Sequence, residues 1–272
     1  MGKITTGPLN PLERAVQARD AGVMDMVRHA IQHRQVKLAF QPVVQATQPE
    51  RTAFHEGLIR VLDETGRVIP AGEFIGTVED TEYGRLLDCI ALEKGLAQLY
   101  REPGLRLSIN MSARSIGYKK WMRSLLRGLE QDTTIAERLI LEITEGSALL
   151  VPELVVSFMN DLQSRGIAFA LDDFGAGYTA FRHFRQFHFD ILKIDGQFIR
   201  GIASDADNQV ITRAMLSIAQ QFDMFTVAEY VENAADAAFL AALGIDCLQG
   251  YYFGAPTVAP SWMNRQKLAV RA

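Results

Sequence analysis

The run Ile167-Ala168-Phe169-Ala170-Leu171-Asp172-Asp173-Phe174-Gly175 is apolar at its start and then meets two adjacent carboxylates. Its length and the glycine before it, Gly166, mark it as a short buried strand. Two carboxylates about 4 Å apart repel by roughly 4 kcal/mol at an effective dielectric near 20. The pair therefore needs something cationic beside it. The same layout recurs along the chain. Short apolar runs terminate in His55-Glu56, Ile109-Asn110, Leu141-Glu142 and Ala228-Glu229, another ends in Lys193, and a late one ends in Gln249-Gly250. Carboxylates gathered at neighbouring strand ends call for divalent metal, so the pattern points to a metal-dependent site at one mouth of a barrel.

Strands are expected at 36–43, 53–61, 105–110, 139–143, 167–172, 191–194, 225–229 and 247–249. Helices with a 3.6-residue apolar period lie between them. Cys89, Leu92, Leu96 and Leu99 make one stripe, Leu154, Phe158 and Leu162 a second, and Ile211, Met215, Ile218 and Phe222 a third. Pro152 suits a first helical turn, and Gly166 and Gly244 suit helix C-termini. Apolar strands without strict alternation, separated by such helices, indicate a parallel sheet covered on its outside. Eight such units in about 240 residues predict an α/β fold, a (β/α)8 TIM-like barrel. Barrels of this kind place their chemistry at C-terminal strand ends, where these polar residues fall. The expected division is an N-terminal lead-in over 1–22, punctuated by Gly7, Pro8 and Pro11, then a single barrel domain over 23–262 and a C-terminal tail over 263–272. A helix over about 24–33 is expected to open the barrel domain, and the lead-in to be too short for a sensory or cyclase domain. No glycine-rich phosphate loop follows any strand.

Hydrophobic residues make up 48% of the chain and charged residues 22%, which fits a globular protein with a sizeable core. The net charge of -4 argues against a nucleic-acid duplex as partner. A short anionic ligand stays compatible, because metal ions rather than lysines can hold its phosphates. Cys89 and Cys247 are too few for a disulfide scaffold and read as reduced core residues of a cytoplasmic protein. No stretch approaches the roughly 18 continuous apolar residues of a membrane span, and the start lacks a signal-peptide layout.

Taken singly, each polar strand end has an ordinary explanation. Glu56 can pair with a lysine, Asn110 can open a turn, Lys193 can pair with Asp195, and Glu229 and Glu232 can cap the next helix. Taken together, strand ends that all offer hard oxygen donors, with one lysine among them, point to a single site. Carboxylates and an amide select Mg²⁺ or Mn²⁺ over zinc, and no HExxH motif is present. His55 neighbours Glu56 but, on a strand, faces the other way.

Ordered motifs along the chain carry a resemblance. They are Phe40-Gln41-Pro42, Glu56-Gly57-Leu58-Ile59-Arg60, Pro70 to Phe74-Ile75, Asn110-Met111-Ser112, Glu142-Ile143-Thr144-Glu145, Asp172-Asp173-Phe174-Gly175-Ala176-Gly177-Tyr178, Leu192-Lys193-Ile194-Asp195, Ala228-Glu229-Tyr230-Val231-Glu232 and Gln249-Gly250-Tyr251. From about 36 to 256 the chain resembles the EAL family of cyclic di-GMP phosphodiesterase domains. The resemblance implies two Mg²⁺ or Mn²⁺ ions. Glu56, Asn110, Glu142 and Asp172 would hold the first, and Asp172, Asp173 and Glu229 the second. Lys193 would orient or help deprotonate the attacking water, with Glu232 and Gln249 in support, so that Lys193, Glu232, Glu56 and Glu229 form the catalytic set. Gln41, Arg60 and Gln249 would contact the dinucleotide, Arg60 through phosphate. Glu145 resembles the glutamate that anchors the loop after Asp173, roughly 174–186, which in the family links metal binding to dimerisation. A homodimer is therefore expected. The implied reaction opens one 3′–5′ phosphodiester of cyclic di-GMP to linear pGpG and lowers this bacterial second messenger.

The chain departs from the family pattern in three places. Gly57 stands where the namesake alanine would be, Tyr230 replaces a usual glycine directly after Glu229, and Thr179-Ala180-Phe181 replaces a common Ser-Ser-Leu. Glycine at 230 would suit a positive φ or a close approach of ligand, so tyrosine there must point away or crowd the site. Besides a working hydrolase, two other functions are therefore expected alternatives: a non-catalytic cyclic di-GMP receptor, and a degenerate docking scaffold.

Overall fold

The computed structural model describes residues 10–177 and 186–263. Strands β1 (Val36–Gln45) and β2 (Gln48–Leu62) are joined through Ala46 and Thr47 alone, so they can only pair as an antiparallel hairpin. Strand β3 (Val68–Pro70) folds back on the end of β2. Strands and helices then alternate: β4 (Leu107–Asn110), β5 (Leu139–Thr144), β6 (Ala168–Phe174), β7 (Ile191–Ile194), β8 (Phe225–Ala228) and β9 (Cys247–Gln249). Hydrogen bonding runs β1-β9-β8-β7-β6-β5-β4-β2, and β2 pairs back to β1, which closes an eight-stranded barrel with β3 attached outside it. The expected barrel forms with one difference: β1 runs antiparallel to both neighbours. A parallel pair needs a crossover of a dozen or so residues, and the hairpin leaves no room for one.

Where other strands are covered by a crossover helix, β1 is covered by the chain's last described turn. Phe40 N donates to Thr257 O at 2.8 Å and Thr257 N to Phe40 O at 3.1 Å. Trp262 then packs its ring 5.4 Å from Phe40 and 4.6 Å from His55, centroid to centroid. The outward faces of the strands, including Leu107, Ile109, Leu141, Phe169, Leu171, Leu192 and Leu248, join the helices in the main core. The inward faces meet in a second cluster low in the barrel: Val43, Phe54, Ile140, Ala170, Ile191 and Val227. The strand runs looked continuous in sequence because both faces are buried.

The first helix begins at Pro11, not near 24, and runs to Gln32. Pro11 fills the first helical position, and Asn10 and Glu13 form a reciprocal capping box, so the proline begins the helix rather than loosening a lead-in. His29 and His33, spaced i and i+4 on this helix, stack at 4.0 Å, and no third ligand stands with them among the described residues. Helix Glu82–Arg101 buries Cys89, Leu92, Leu96 and Leu99 as expected. Two stripes hold in part: Phe158, Leu162 and Met215 are buried as expected and Ile218 packs against the core, while the remaining positions do not. Helix Pro152–Gln163 buries Val155, Phe158, Met159 and Leu162 and leaves Leu154 exposed. Helix Ala206–Gln221 buries Thr212, Met215, Leu216 and Ala219, with Ile211 and Phe222 exposed. Gly244 caps its helix at φ +98, as expected. Gly166, also left-handed, lies beyond a helix capped at Ser164.

Candidate metal centre

Residues two positions apart on a strand share a face. Two beyond the low barrel residues Phe54, Ile140, Ala170, Ile191 and Val227 stand Glu56, Glu142, Asp172, Lys193 and Glu229. In reversed β1 the matching polar residue comes earlier, and it is Gln41, two before Val43. The barrel interior is thus apolar below and polar above, and the polar layer opens at the C-terminal ends of the parallel strands.

Lys193 is fully buried at the centre of this layer. Its Nζ lies 2.8 Å from Glu142 Oε2, 2.8 Å from Glu229 Oε1, 2.9 Å from Asp172 Oδ1 and 3.4 Å from Glu56 Oε2. Glu56 is further held by Asn110 Nδ2, donating to Oε1 at 2.7 Å, and by Gln249 Nε2, donating to Oε2 at 2.6 Å. Gln249 Nε2 also reaches Gln41 Oε1 at 3.2 Å, and Gln41 Nε2 donates to Gly254 O at 3.0 Å.

Alternation alone would turn Asp173 outward, toward the helices. Its φ of +55 and the break in β6–β7 register between Leu171 and Phe174 re-aim it to the mouth. Aspartate tolerates the left-handed region better than most residues. Carboxylate oxygens of Asp172, Asp173 and Glu229 consequently come within 4.8 Å of one another, as do those of Glu56, Glu142 and Asp172. Asp172 belongs to both groups.

The electrostatics show a site short of cations. Burial, reinforced by Glu56 and Asp172, raises the Glu142 carboxyl well above its ordinary value against the pull of Lys193. Burial pushes Glu229 up to about 8 and Asp173 up to about 6, in each case with the charge of Asp172 adding to it. Burial also pushes Glu56 upward, but Lys193 and the hydrogen bonds from Gln249 and Asn110 outweigh it and hold that carboxyl low. Burial works against the Lys193 ammonium, yet the four surrounding carboxylates raise it well above the usual lysine value. Glu142 Oε1 is buried with no hydrogen-bond partner. An all-oxygen donor set with an orphaned buried oxygen fits a hard divalent cation.

Glu56, Asn110, Asp172, Asp173 and Glu229 form the floor of a cleft of about 700 Å³, with Lys193 and Glu142 buried beneath them, and its walls include Arg60, Arg200, Tyr230, Glu232 and Tyr251. Arg60 Nη1 donates to Ile59 O at 2.9 Å. Glu145 is buried, and its Oε2 accepts from Gly175 N at 3.1 Å, directly behind Asp173. Thr179, Ala180 and Phe181 lie outside the described residues. The expected support of Lys193 by Glu232 is not the contact that forms. Glu232 is half-exposed on the rim and pairs with Arg200 Nε at 3.8 Å. Glu232 follows β8 by four residues, where strand alternation no longer governs direction.

Two cleft residues escaped the strand-end reading because neither ends a strand. Arg200 follows the short helix Gly196–Ile199. Asp88, from helix Glu82–Arg101, accepts from Ser112 N at 3.1 Å and Ser115 Oγ at 2.6 Å, and so fixes the turn after Asn110. Its one sequence signal is an acid set beside the apolar stripe that starts at Cys89. Tyr230, which adopts φ +54, does not point away from the cleft.

Gly57 has a local cause. A Cβ there would stand 2.7 Å from Ile109 Cδ1, and one at Gly95 would stand 2.8 Å from the same methyl. Ile109 fills the space that the family's alanine would take. Gly57→Ala is expected to destabilise the protein by about 1–2 kcal/mol in urea denaturation. Adding Ile109→Val should recover most of that loss, and a double variant no better than the sum of its parts would contradict this packing.

Residues 24–256 match the model of the EAL domain. Cyclic di-GMP phosphodiesterase PdeF of Escherichia coli (strain K12) is 30% identical over 249 residues, which cover 90% of this chain and 33% of that protein. Cyclic di-GMP phosphodiesterase PdeB of Shewanella oneidensis is 27% identical over 254 residues, covering 90% and 29% respectively. This chain therefore spans about a third of the length of these relatives. The solved PaMucR phosphodiesterase, in complex with c-di-GMP, is similar with a TM-score of 0.79 at 27% identity, covering 89% of this chain and 99% of that one. The FimX EAL domain of Pseudomonas aeruginosa bound to c-di-GMP shares the fold, with a TM-score of 0.78 at 22% identity over 87% of this chain and 97% of that one. With the family model matched over most of its length, this chain belongs to the EAL domain family.

Proposed function

We propose that this protein is a metal-dependent phosphodiesterase that hydrolyses one 3′–5′ linkage of cyclic di-GMP to linear pGpG, and so lowers the level of that bacterial second messenger. The observation that carries the reading is the convergence of two carboxylate groups, joined by Asp172, around Lys193 at the floor of the cleft. Five carboxylates gather about one ammonium, and once all five are ionised the four negative charges left over would be balanced by two divalent ions, Mg²⁺ or Mn²⁺. Glu56, Asn110, Glu142 and Asp172 would hold one, and Asp172, Asp173 and Glu229 the other. Such ions supply an activated water and neutralise the phosphate and leaving oxygen of an in-line displacement.

The remaining work falls to the chain's own side chains. Lys193 directs its ammonium into the carboxylate cluster, where it would orient the attacking water and share in moving its proton. Gln249 holds Glu56 and is itself backed by Gln41; both amides would contact the dinucleotide, and Arg60 would give a charge-assisted bond to phosphate. The water oxygen bonds to phosphorus, the P–O3′ bond breaks, and the 3′-oxygen leaves with a proton. Glu232 would act through Arg200 at the rim. A homodimer in a cytoplasmic setting completes the proposal. No helix among the described residues is long and apolar enough to cross a membrane.

Purified protein with Mg²⁺ or Mn²⁺ should convert cyclic di-GMP to pGpG, read by chromatography, and a chelator should stop it. Absence of turnover at protein concentrations that bind the ligand would refute the enzyme. One observation favours a second reading, a receptor that holds cyclic di-GMP uncut: Tyr230 stands in the cleft wall directly after Glu229. Turnover that appears only in Tyr230→Gly would support it.

Metal binding should also release protons. Glu229 without metal keeps its proton up to about pH 8, and the ligand form is the carboxylate. Mn²⁺ affinity should therefore rise as pH climbs toward 8, roughly tenfold per pH unit for each proton displaced. Calorimetric titration across pH 6 to 9 checks this, and a pH-independent affinity contradicts it.

A further inference from the structure

Tyr230 holds a conformation that costs a bulky side chain dearly. Its φ of +54 is left-handed, and such strain persists only where the surroundings over-determine it. The surroundings here do so. The ring root seats over Gly196, where a Cβ would stand 2.3 Å from Tyr230 Cδ2 and 2.6 Å from its Cγ, so glycine is what leaves room for the tyrosine. The Arg200 guanidinium lies 4.1 Å from the ring centroid, a close cation–π approach. Arg200 is tied to Glu232 at 3.8 Å. The segment that follows it is fixed by buried Asp236, which accepts from Gly201 N at 3.0 Å and from Ala203 N at 2.9 Å.

This much support holds a side chain that is not buried. Tyr230 remains 49% exposed, and both Tyr230 and Arg200 line the cleft above the carboxylates. Neither is required to assemble those carboxylates, which Lys193 and the barrel strands already hold. A socketed, half-exposed aromatic ring stacked with a planar cation, in the wall of a ligand cleft, is suited to the face of a flat heterocycle.

We propose that Tyr230 and Arg200 form a stacking platform for one purine base of the bound dinucleotide, a specificity-determining element that rests on the hydrolase reading above. The platform adds face-to-face attraction that grows with the area of the base, so it favours purines over pyrimidines. It acts on binding and leaves the reacting phosphate to the floor of the cleft.

The test is the affinity for cyclic di-GMP, by calorimetry with a chelator present, beside KM and kcat with Mn²⁺. Wild type is compared with Tyr230→Asn, Tyr230→Phe and Arg200→Met. Asparagine tolerates a left-handed φ, so Tyr230→Asn removes the ring without adding backbone strain. Loss of one base stack should raise Kd and KM by about tenfold or more in Tyr230→Asn, with the loss falling on KM rather than kcat and with Mn²⁺ affinity kept. Tyr230→Phe should restore tight binding, and Arg200→Met should weaken it. Cyclic di-UMP, with its smaller bases, should lose less affinity than cyclic di-GMP in Tyr230→Asn. Cyclic di-GMP binding that is unchanged or tighter in Tyr230→Asn overturns the platform, whatever happens to turnover. Wild type that binds without cutting, and loses binding in Tyr230→Asn, upholds the platform and refutes the hydrolase. Wild type that cuts, with an unchanged KM in Tyr230→Asn, does the reverse.

Discussion

Lys193→Met is expected to lower turnover by more than about three orders of magnitude, a barrier increase of roughly 4 kcal/mol, and to destabilise the metal-free protein. The wild-type ammonium stands within 3.4 Å of four carboxylates. Methionine matches its stem but leaves those carboxylates facing one another. Breaking a buried ion pair by removing one partner costs about 3–5 kcal/mol, and protonation of the carboxylates would relieve part of that. The pH dependence has a definite sign. A carboxyl whose folded-state value is raised favours the fold at low pH, and that support is lost as pH rises through the folded value. For Glu229 the window runs from about 4.5 to about 8. Removing Lys193 removes a group that holds Glu229 down, so the window widens upward. The melting temperature of metal-free Lys193→Met should fall more steeply than that of wild type between pH 5 and 8, and Mn²⁺ should recover part of it. Turnover within tenfold of wild type would dismiss Lys193 from the reaction.

Asp172→Asn should be nearly as damaging for a different reason. Asp172 alone belongs to both groups of close carboxylates. An amide keeps the shape but gives up the charge and one of the two anionic oxygens, so neither group stays complete. The expected loss in kcat is about three orders of magnitude or more, with reduced Mn²⁺ stoichiometry or affinity in direct titration. Asp173→Asn touches one group only and should lose less. The metal-free Asp172→Asn protein should fold as wild type does, since one buried negative charge is gone. Full Mn²⁺ stoichiometry together with normal turnover in Asp172→Asn would disprove a shared ligand.

Much of this site was legible because strand geometry is simple. One polar residue at the same height on each of several strands can only meet its counterparts if the strands close on one another. Glu56, Asn110, Glu142, Asp172, Lys193 and Gln249 follow that rule. Glu232 does not, because it lies past the end of β8. The reach of Asp173 depends on a left-handed backbone that no residue pattern announces. The reversed β1 was visible in principle, since the residues between its expected end and the start of β2 are too few for a crossover helix. The longer first helix was hidden by reading Pro11 as a breaker rather than a first-turn residue. Helix stripes were the least secure part. Leu154, Ile211 and Phe222 have the right spacing yet stay exposed at the ends of their stripes, while Phe158, Leu162 and Met215 of the same stripes are buried.

The reversed first strand has a consequence for synthesis on the ribosome. β1 gains its second neighbour only when β9 is made, and Glu56 waits 193 residues for the amide of Gln249. Until then the growing chain is an open sheet with two bare edges, one of them β1. Bare edges invite pairing with other chains. Nascent chains halted before Cys247 should therefore lean on chaperones and show no Mn²⁺-dependent protection from protease, whereas release past Trp262 should bring both ring closure and protection in one step.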